Sequence, residues 1–222
     1  DERKTAIVAT AAGEFSAKDT IPNAPMIVTL TRSGYVKRLS PMQFRAQNRG
    51  GKGIKGADVK DDDEVISLLH VMNHDDLLFF TNTGRVFQMP AYELPQTSRV
   101  ARGQAIVNLL QLKPEERITA ILKADLSQVK YLFMITDVGT VKRTETAEFD
   151  NIRRSGLIAQ KLPMGEELKW VLATSGKDEI LIVSKKGKAI RFPEDDVRPM
   201  GRAAAGVIGI RLDDNDRVVE AG

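Results

Sequence analysis

Cysteine is absent from the 222 residues, and histidine occurs only twice. Without thiols there is no disulfide framework and no thiolate metal site, and such a composition suits a reducing compartment. His70 and His74 stand four apart, but the segment 65–71 reads as a strand and no zinc-protease glutamate separates them, so no metal site is expected. Aromatic residues make up 5% of the chain; Trp170 lies in an apolar strand and is expected in the core, while Tyr35 is expected as the more exposed ring. No apolar run approaches the length of a membrane-spanning helix, the first residues show no secretory pattern, and no segment longer than one turn has helical amphipathic spacing. The start at Asp1, without methionine, reads as that of a piece cut from a longer protein.

What is present is a repeat. At 42% hydrophobic and 28% charged, the chain reads as globular. After an expected opening strand over 3–9 and a polar stretch holding Asp19, Pro22 and Pro25, four segments follow one plan. An apolar strand, a turn ending in glycine and a second strand recur at 26–39, 77–89, 131–144 and 179–192, each reading as a β-hairpin. The turn glycines Gly34, Gly84, Gly139 and Gly187 are 50, 55 and 48 residues apart. A second glycine follows in register at Gly53, Gly103, Gly156 and Gly206. An acidic turn then leads into another apolar strand at Asp63-Glu64, Glu115-Glu116, Glu166-Glu167 and Asn215-Asp216.

A period near fifty with roughly four strands per unit and no long helix predicts propeller blades. The expected fold is all-β, with four small antiparallel sheets around an axis and repeats at about 26–76, 77–130, 131–178 and 179–222 in a single domain spanning 1–222. Residues 1–25 supply an entering strand and a linker. The prolines at 41, 90 and 193 each open a single helical turn.

The charge is uneven. The window 26–60 carries +7, whereas the whole chain carries +3. At its centre stand Gln47, Asn48, Arg49, Gly50, Gly51, Lys52 and Gly53. Glycines let backbone N–H groups converge on an oxyanion, and the two cations add charge, so this segment suits phosphate. Arg32, Arg45 and Lys55 lie nearby. Weaker counterparts follow in the other repeats, at Arg99 and Arg102, at Arg153 and Arg154, and at Arg202. Four residues past each turn glycine come Arg38, Gln88, Arg143 and Arg191, with Lys37 and Lys142 beside two of them. These cations are expected on a basic rim facing a polyanion, or on a solvated edge that blocks strand-to-strand aggregation. Val36 and Val141 would share a face with Arg38 and Arg143, so a bulge or a strand leaving the core at the rim is expected. The glycines and lysines of 51–56 match a dinucleotide-binding spacing, but the helix that would give those glycines their role is missing. The acidic run 61–64 lacks the alternating ligands of a calcium loop.

Residues 47–53 closely resemble the gyrase box, and the chain as a whole is similar to the C-terminal DNA-wrapping domains of bacterial DNA gyrase A subunits. The resemblance includes Ile21-Pro22, Gly34-Tyr35-Val36-Lys37-Arg38 and the region from Gly201-Arg202 to Gly206-Val207. Asn48 departs from it, standing where the family usually has arginine or lysine, which implies a weaker wrap. The resemblance implies a β-pinwheel, a propeller-like disc whose blades exchange strands, with duplex DNA bent around a basic rim. It also implies six blades, against the four counted here. The implied partners are DNA, the N-terminal domain of the same polypeptide, and the B subunit of an A2B2 enzyme in the cytoplasm, at the nucleoid. Catalytic residues, ATP and Mg2+ would belong to other parts of that enzyme, leaving this domain without cofactor or catalysis. The related domain of topoisomerase IV has fewer blades and a degraded box; the double glycine favours gyrase, and the blade count leaves the two open. A protein-binding propeller would be expected to carry WD or kelch signatures, which the sequence lacks.

Overall fold

The structure, a computed structural model, describes residues 17–44, 63–127 and 129–222. The expected opening strand, Arg45, the segment 47–53 and Lys55 lie outside the described residues.

A helical turn, α1 (Ala17–Thr20), precedes the first repeat, which contains β1 (Pro25–Thr31), β2 (Tyr35–Leu39) and β3 (Val65–Met72). The second repeat holds β4 (Asp76–Thr81), β5 (Arg85–Pro90), the two-residue β6 (Gln104–Ala105) and β7 (Ile118–Lys123). The third holds β8 (Tyr131–Thr136), β9 (Thr140–Glu145), β10 (Leu157–Ile158) and β11 (Leu168–Thr174). The fourth holds β12 (Glu179–Ser184), β13 (Ala189–Pro193), β14 (Val207–Ile208) and β15 (Val218–Ala221). Three 3₁₀ turns, Pro41–Gln43, Ala91–Glu93 and Glu194–Asp196, lie where the prolines predict them.

The fold is all-β, with four antiparallel sheets arranged as propeller blades. Their strand orders are β3-β1-β2-β6, β10-β5-β4-β7, β11-β8-β9-β14 and β13-β12-β15. The first three sheets therefore each take their outermost strand from the following repeat. On the inner side, β7 packs against both β3 and β11, which places these strands toward the axis and β6, β10 and β14 on the perimeter.

Packing explains why β4 and β8 read as unbroken apolar runs. Side chains alternate across a strand, and these strands have a blade on both sides. Leu77 and Phe79 enter the layer shared with Met26, Val28 and Leu30 of the first blade, whereas Leu78 and Phe80 enter the next layer with Leu132 and Met134. Phe133 and Ile135 in turn face Ile180 and Ile182 of the fourth blade. Burying each such side chain contributes on the order of 1.5–3 kcal/mol.

The acidic turns have a structural task. Asp63 Oδ1 accepts from Ser33 N (2.9 Å) in the first hairpin turn. Glu116 accepts from Thr81 Oγ1 (2.8 Å), Thr83 Oγ1 (2.7 Å) and Arg85 Nη1 (2.7 Å) in the second. Asp216 accepts from Ser184 Oγ (2.6 Å) and Lys186 N (3.0 Å) in the fourth. In the third blade the direction reverses, and Asp137 of the hairpin turn accepts from Glu167 N (2.8 Å). Burial alone would raise the pKa values of Asp63, Glu116 and Asp216, but these hydrogen bonds outweigh it and hold all three below the usual carboxylate range.

Candidate nucleic-acid interface

Strand exchange decides where the arginine-bearing loops lie. After the turn at Ala91–Glu93 the chain runs back along β2 of the preceding blade: Arg38 N donates to Pro95 O (3.0 Å) and Thr97 N to Arg38 O (3.1 Å) before β6 pairs Gln104 with Val36. The fourth repeat does the same to the third blade, with Met200 N donating to Arg143 O (2.8 Å) and β14 pairing Val207 with Val141. The third repeat reaches the second blade through β10, where Leu157 pairs with Val86 and Ala159 N donates to Gly84 O (2.8 Å).

The second glycine of the repeat pattern acquires a reason here. Gly103 (φ +93°) presses so closely on β2 that a Cβ would stand 2.5 Å from Val36 O, and Gly206 (φ +110°) stands in the same relation to Val141 O. A side chain at either position would both strain the backbone and push the donated strand away.

Three loops, 95–103, 151–156 and 197–206, thus lie along the outermost strands. Each contains two arginines and no carboxylate. Arg102, Arg153, Arg154 and Arg198 are exposed, and Arg99 and Arg202 are half-buried. The Arg102 guanidinium lies 3.5 Å from the centre of the Tyr35 ring, which is itself half-buried, and Arg202 Nε lies 3.3 Å from Glu148 Oε2. Arg198 is absent from the cations that the sequence pattern singles out, because the pattern of the fourth repeat starts at Gly201; the end of the acidic run at Asp196 is the signal that would have found it.

The hairpin cations require a correction. Lys37, Arg38, Lys142 and Arg143 do not line a solvated rim; all four are buried, Lys142 completely. Arg38 donates to Leu94 O (2.8 Å), Asn73 Oδ1 (2.5 Å) and Tyr92 O (3.2 Å), tying β2 to the next repeat's 3₁₀ turn. Arg143 lies 3.9 Å from the buried carboxylate of Glu194, in the corresponding turn of the fourth repeat, and 4.4 Å from the centre of the Tyr131 ring. Lys37 Nζ donates to Arg99 O (2.7 Å) and Ala101 O (2.6 Å). Lys142 Nζ donates to Ala159 O (2.6 Å) and to Arg202 O. Burial first, and then the charge of Arg202, push the Lys142 pKa down to about 8 against the opposing pull of Glu148, and burial also lowers that of Arg38. The expected bulge is absent from these hairpins: β1 with β2, and β8 with β9, pair without a register shift. The strand stays in the core because a neighbouring repeat covers it. The irregularity falls on the other side of β1, at Leu30/Thr31 opposite β3.

Two further candidates lie away from the loops. Arg32, in the first hairpin turn, pairs with Glu64 and lines an opening of about 650 Å³ together with Arg117, Lys169, Trp170 and Glu220, residues from all four blades. Trp170 is only half-buried, packing against the core from this opening. Arg191 is exposed on β13, with Nε 3.3 Å from Glu179 Oε2. Among the described residues no cluster suits a metal ion, and His74 Nε2 is 2.7 Å from Ile21 O.

The family model described as "DNA gyrase C-terminal domain, beta-propeller" matches residues 25–72, 75–125, 130–175 and 178–221. The DNA gyrase A protein of Mycolicibacterium smegmatis is 43% identical over 222 residues, 99% of this chain and 26% of that protein. Its Escherichia coli counterpart is 44% identical over 220 residues, 99% of this chain and 25% of that protein. Among solved structures, a C-terminal domain of DNA topoisomerase IV superposes with a TM-score of 0.75 at 32% identity, covering 90% of this chain and 61% of that one. A DNA gyrase A C-terminal domain superposes with a TM-score of 0.66, also at 32% identity, covering 89% and 64%. The chain therefore spans about a quarter of the curated relatives it matches.

Proposed function

Because the chain belongs to the DNA gyrase C-terminal domain family, we propose that it bends and wraps duplex DNA along its perimeter as a non-catalytic part of a gyrase A protein. The observation that carries this reading is the placement, on three successive outer strands, of loops that each hold two arginines and no carboxylate. Arg99, Arg102, Arg153, Arg154, Arg198 and Arg202 contact phosphates along a curved path, and 47–53 with Arg45 and Lys55 anchors its start. Such contacts fix position without reading bases, so binding tolerates sequence. Bending 20–30 base pairs costs on the order of 1–6 kcal/mol, which counterion release at several phosphates offsets. In the A2B2 enzyme the wrapped duplex is presented for strand passage, with ATP and Mg2+ used elsewhere. The domain works in the cytoplasm, at the nucleoid.

The test is duplex binding and bending by the full-length protein at several salt concentrations. Replacing Arg102, Arg153 and Arg154 with glutamine should weaken affinity for all sequences and reduce the salt slope by about 0.9 for each phosphate that is no longer neutralised. An unchanged slope would overturn the perimeter reading. The closer superposition on the topoisomerase IV domain favours a second reading, in which the enzyme relaxes or decatenates. Negative supercoiling of relaxed plasmid by the parental enzyme distinguishes gyrase from it.

A further inference from the structure

We propose that Lys37 and Lys142 are positioning residues for nucleic-acid binding, fixing from beneath the backbone of the loops that carry Arg99, Arg102 and Arg202. The inference rests on the perimeter reading above and adds to it which buried groups set the arginines in place. Lys37 Nζ grips the carbonyls of Arg99 and Ala101, on either side of Val100 and immediately before Arg102. Lys142 Nζ grips the carbonyl of Arg202 itself and that of Ala159, so one ammonium joins the segment donated to the second blade with the loop donated to the third. Each lysine thus holds the main chain at a half-buried arginine of a perimeter loop.

Stability alone does not favour this choice. A fully buried ammonium bonded to carbonyl groups loses its hydration, a cost that an apolar side chain of similar length avoids while leaving those carbonyls unpaired, so the two choices nearly offset. The second blade holds its loop by other means. The residue corresponding to Lys37 and Lys142 is Phe87, Gly156 packs closely on its ring, and the Arg85 guanidinium, which also bonds Glu116, donates to Ser155 O. In the fourth blade the residue is Ile190, and among the described residues no loop is laid on β13. Lysine therefore stands in the two sheets whose donated loop lacks such a guanidinium latch among the described contacts. In both, the carbonyls it holds include that of a perimeter arginine.

The experiment uses the full-length protein and compares Lys142→Met and Lys37→Met with the parent in hydrogen exchange, thermal unfolding and duplex affinity. In Lys142→Met, amides of 200–206 should exchange faster while the unfolding midpoint holds. Affinity should fall about tenfold, the scale of one charge-assisted hydrogen bond. Lys37→Met should do the same to 97–103. The decisive arm is a double-mutant cycle: in an Arg202→Met background, Lys142→Met should have little further effect on affinity. Full additivity, or unchanged exchange in the loop, overturns the positioning role. Should Lys142→Met unfold, Lys37→Met in an Arg102→Met background supplies the same cycle in the first blade. A parental protein that binds no duplex overturns the perimeter reading and this role with it; a parent that binds while the cycle is additive overturns this role alone.

Discussion

Arg143 and Arg191 occupy the same place in their repeats, four residues past the turn glycine on the second strand of a hairpin, yet one is buried and the other exposed. Their local sequences do not account for the difference. On β9, the fourth repeat lays β14 and its 3₁₀ turn across the strand, bringing Glu194 and the 197–206 loop over Arg143. On β13, no described strand occupies that side, and among the described residues Arg191 pairs with Glu179 of its own hairpin. A cation on the second strand of a hairpin is therefore a staple between repeats where the next repeat covers it and a surface charge where no described segment does. The exposed charge belongs instead to the covering loops.

The contrast between the third and fourth blades extends to the core, where the largest effect is expected. Phe133 is enclosed between the two blades, whereas Leu181 of β12 points away from that layer and is 44% exposed. Phe133→Ala should lower unfolding free energy by about 3–5 kcal/mol. Leu181→Ala should cost a small fraction of that, since little apolar area returns to water. Denaturant titration checks both, and equal losses would mean that the far face of the fourth blade is covered.

The arginine pair comes next. Arg143→Ala leaves Glu194 buried without its cation and opens a gap beside Tyr131, for an expected loss of about 1–3 kcal/mol. Arg191→Ala should stay within about 0.5 kcal/mol, as for other exposed ion pairs. Denaturation curves on the two variants sharpen the comparison, and a reversed order would break it.

The remaining effects are pH slopes of opposite origin. Lys142 has a folded pKa of about 8 against 10.5 for the free side chain, so the unfolded chain binds more protons between these values. Stability should rise with pH across that window, by at most about 1.4 kcal/mol per pH unit for one proton, and Lys142→Met should flatten the rise. Burial would raise the Glu167 pKa, but hydrogen bonds from Lys169 and Asn82 and the charges of Lys169 and Arg117 bring it down to about 2. Its stabilisation is complete above 4.5 and lost as pH falls toward 2, so Glu167→Gln should shallow the acid limb of a thermal-melting profile. The acid effect is the weaker because the site is partly open to solvent.

Much of the fold was legible in the sequence because its markers are local. A positive-φ glycine ends each hairpin turn, an apolar strand buried on both faces shows as an unbroken run, and proline opens the 3₁₀ turns, so the hairpins, the period and the all-β class follow from short stretches. The acidic turns were legible as position but not as purpose: Asp63 and Glu116 serve a hairpin about thirty residues earlier, and spacing alone does not say which donors meet them. The candidate site was legible in its loops, where Arg99, Arg102, Arg153, Arg154 and Arg202 stand in stretches of sequence without a carboxylate, and misread on the strands beneath them. Whether Lys37, Arg38, Lys142 and Arg143 face water depends on a segment of the next repeat some sixty residues away, Arg99 for Lys37 and Arg202 for Lys142. The sequence determined the repeating hairpin and the charge of its loops, since backbone geometry and side-chain alternation act within a few residues. Only the tertiary structure decided which cations are buried, because strand exchange brings distant carbonyls over them and exposure is a property of what covers a residue.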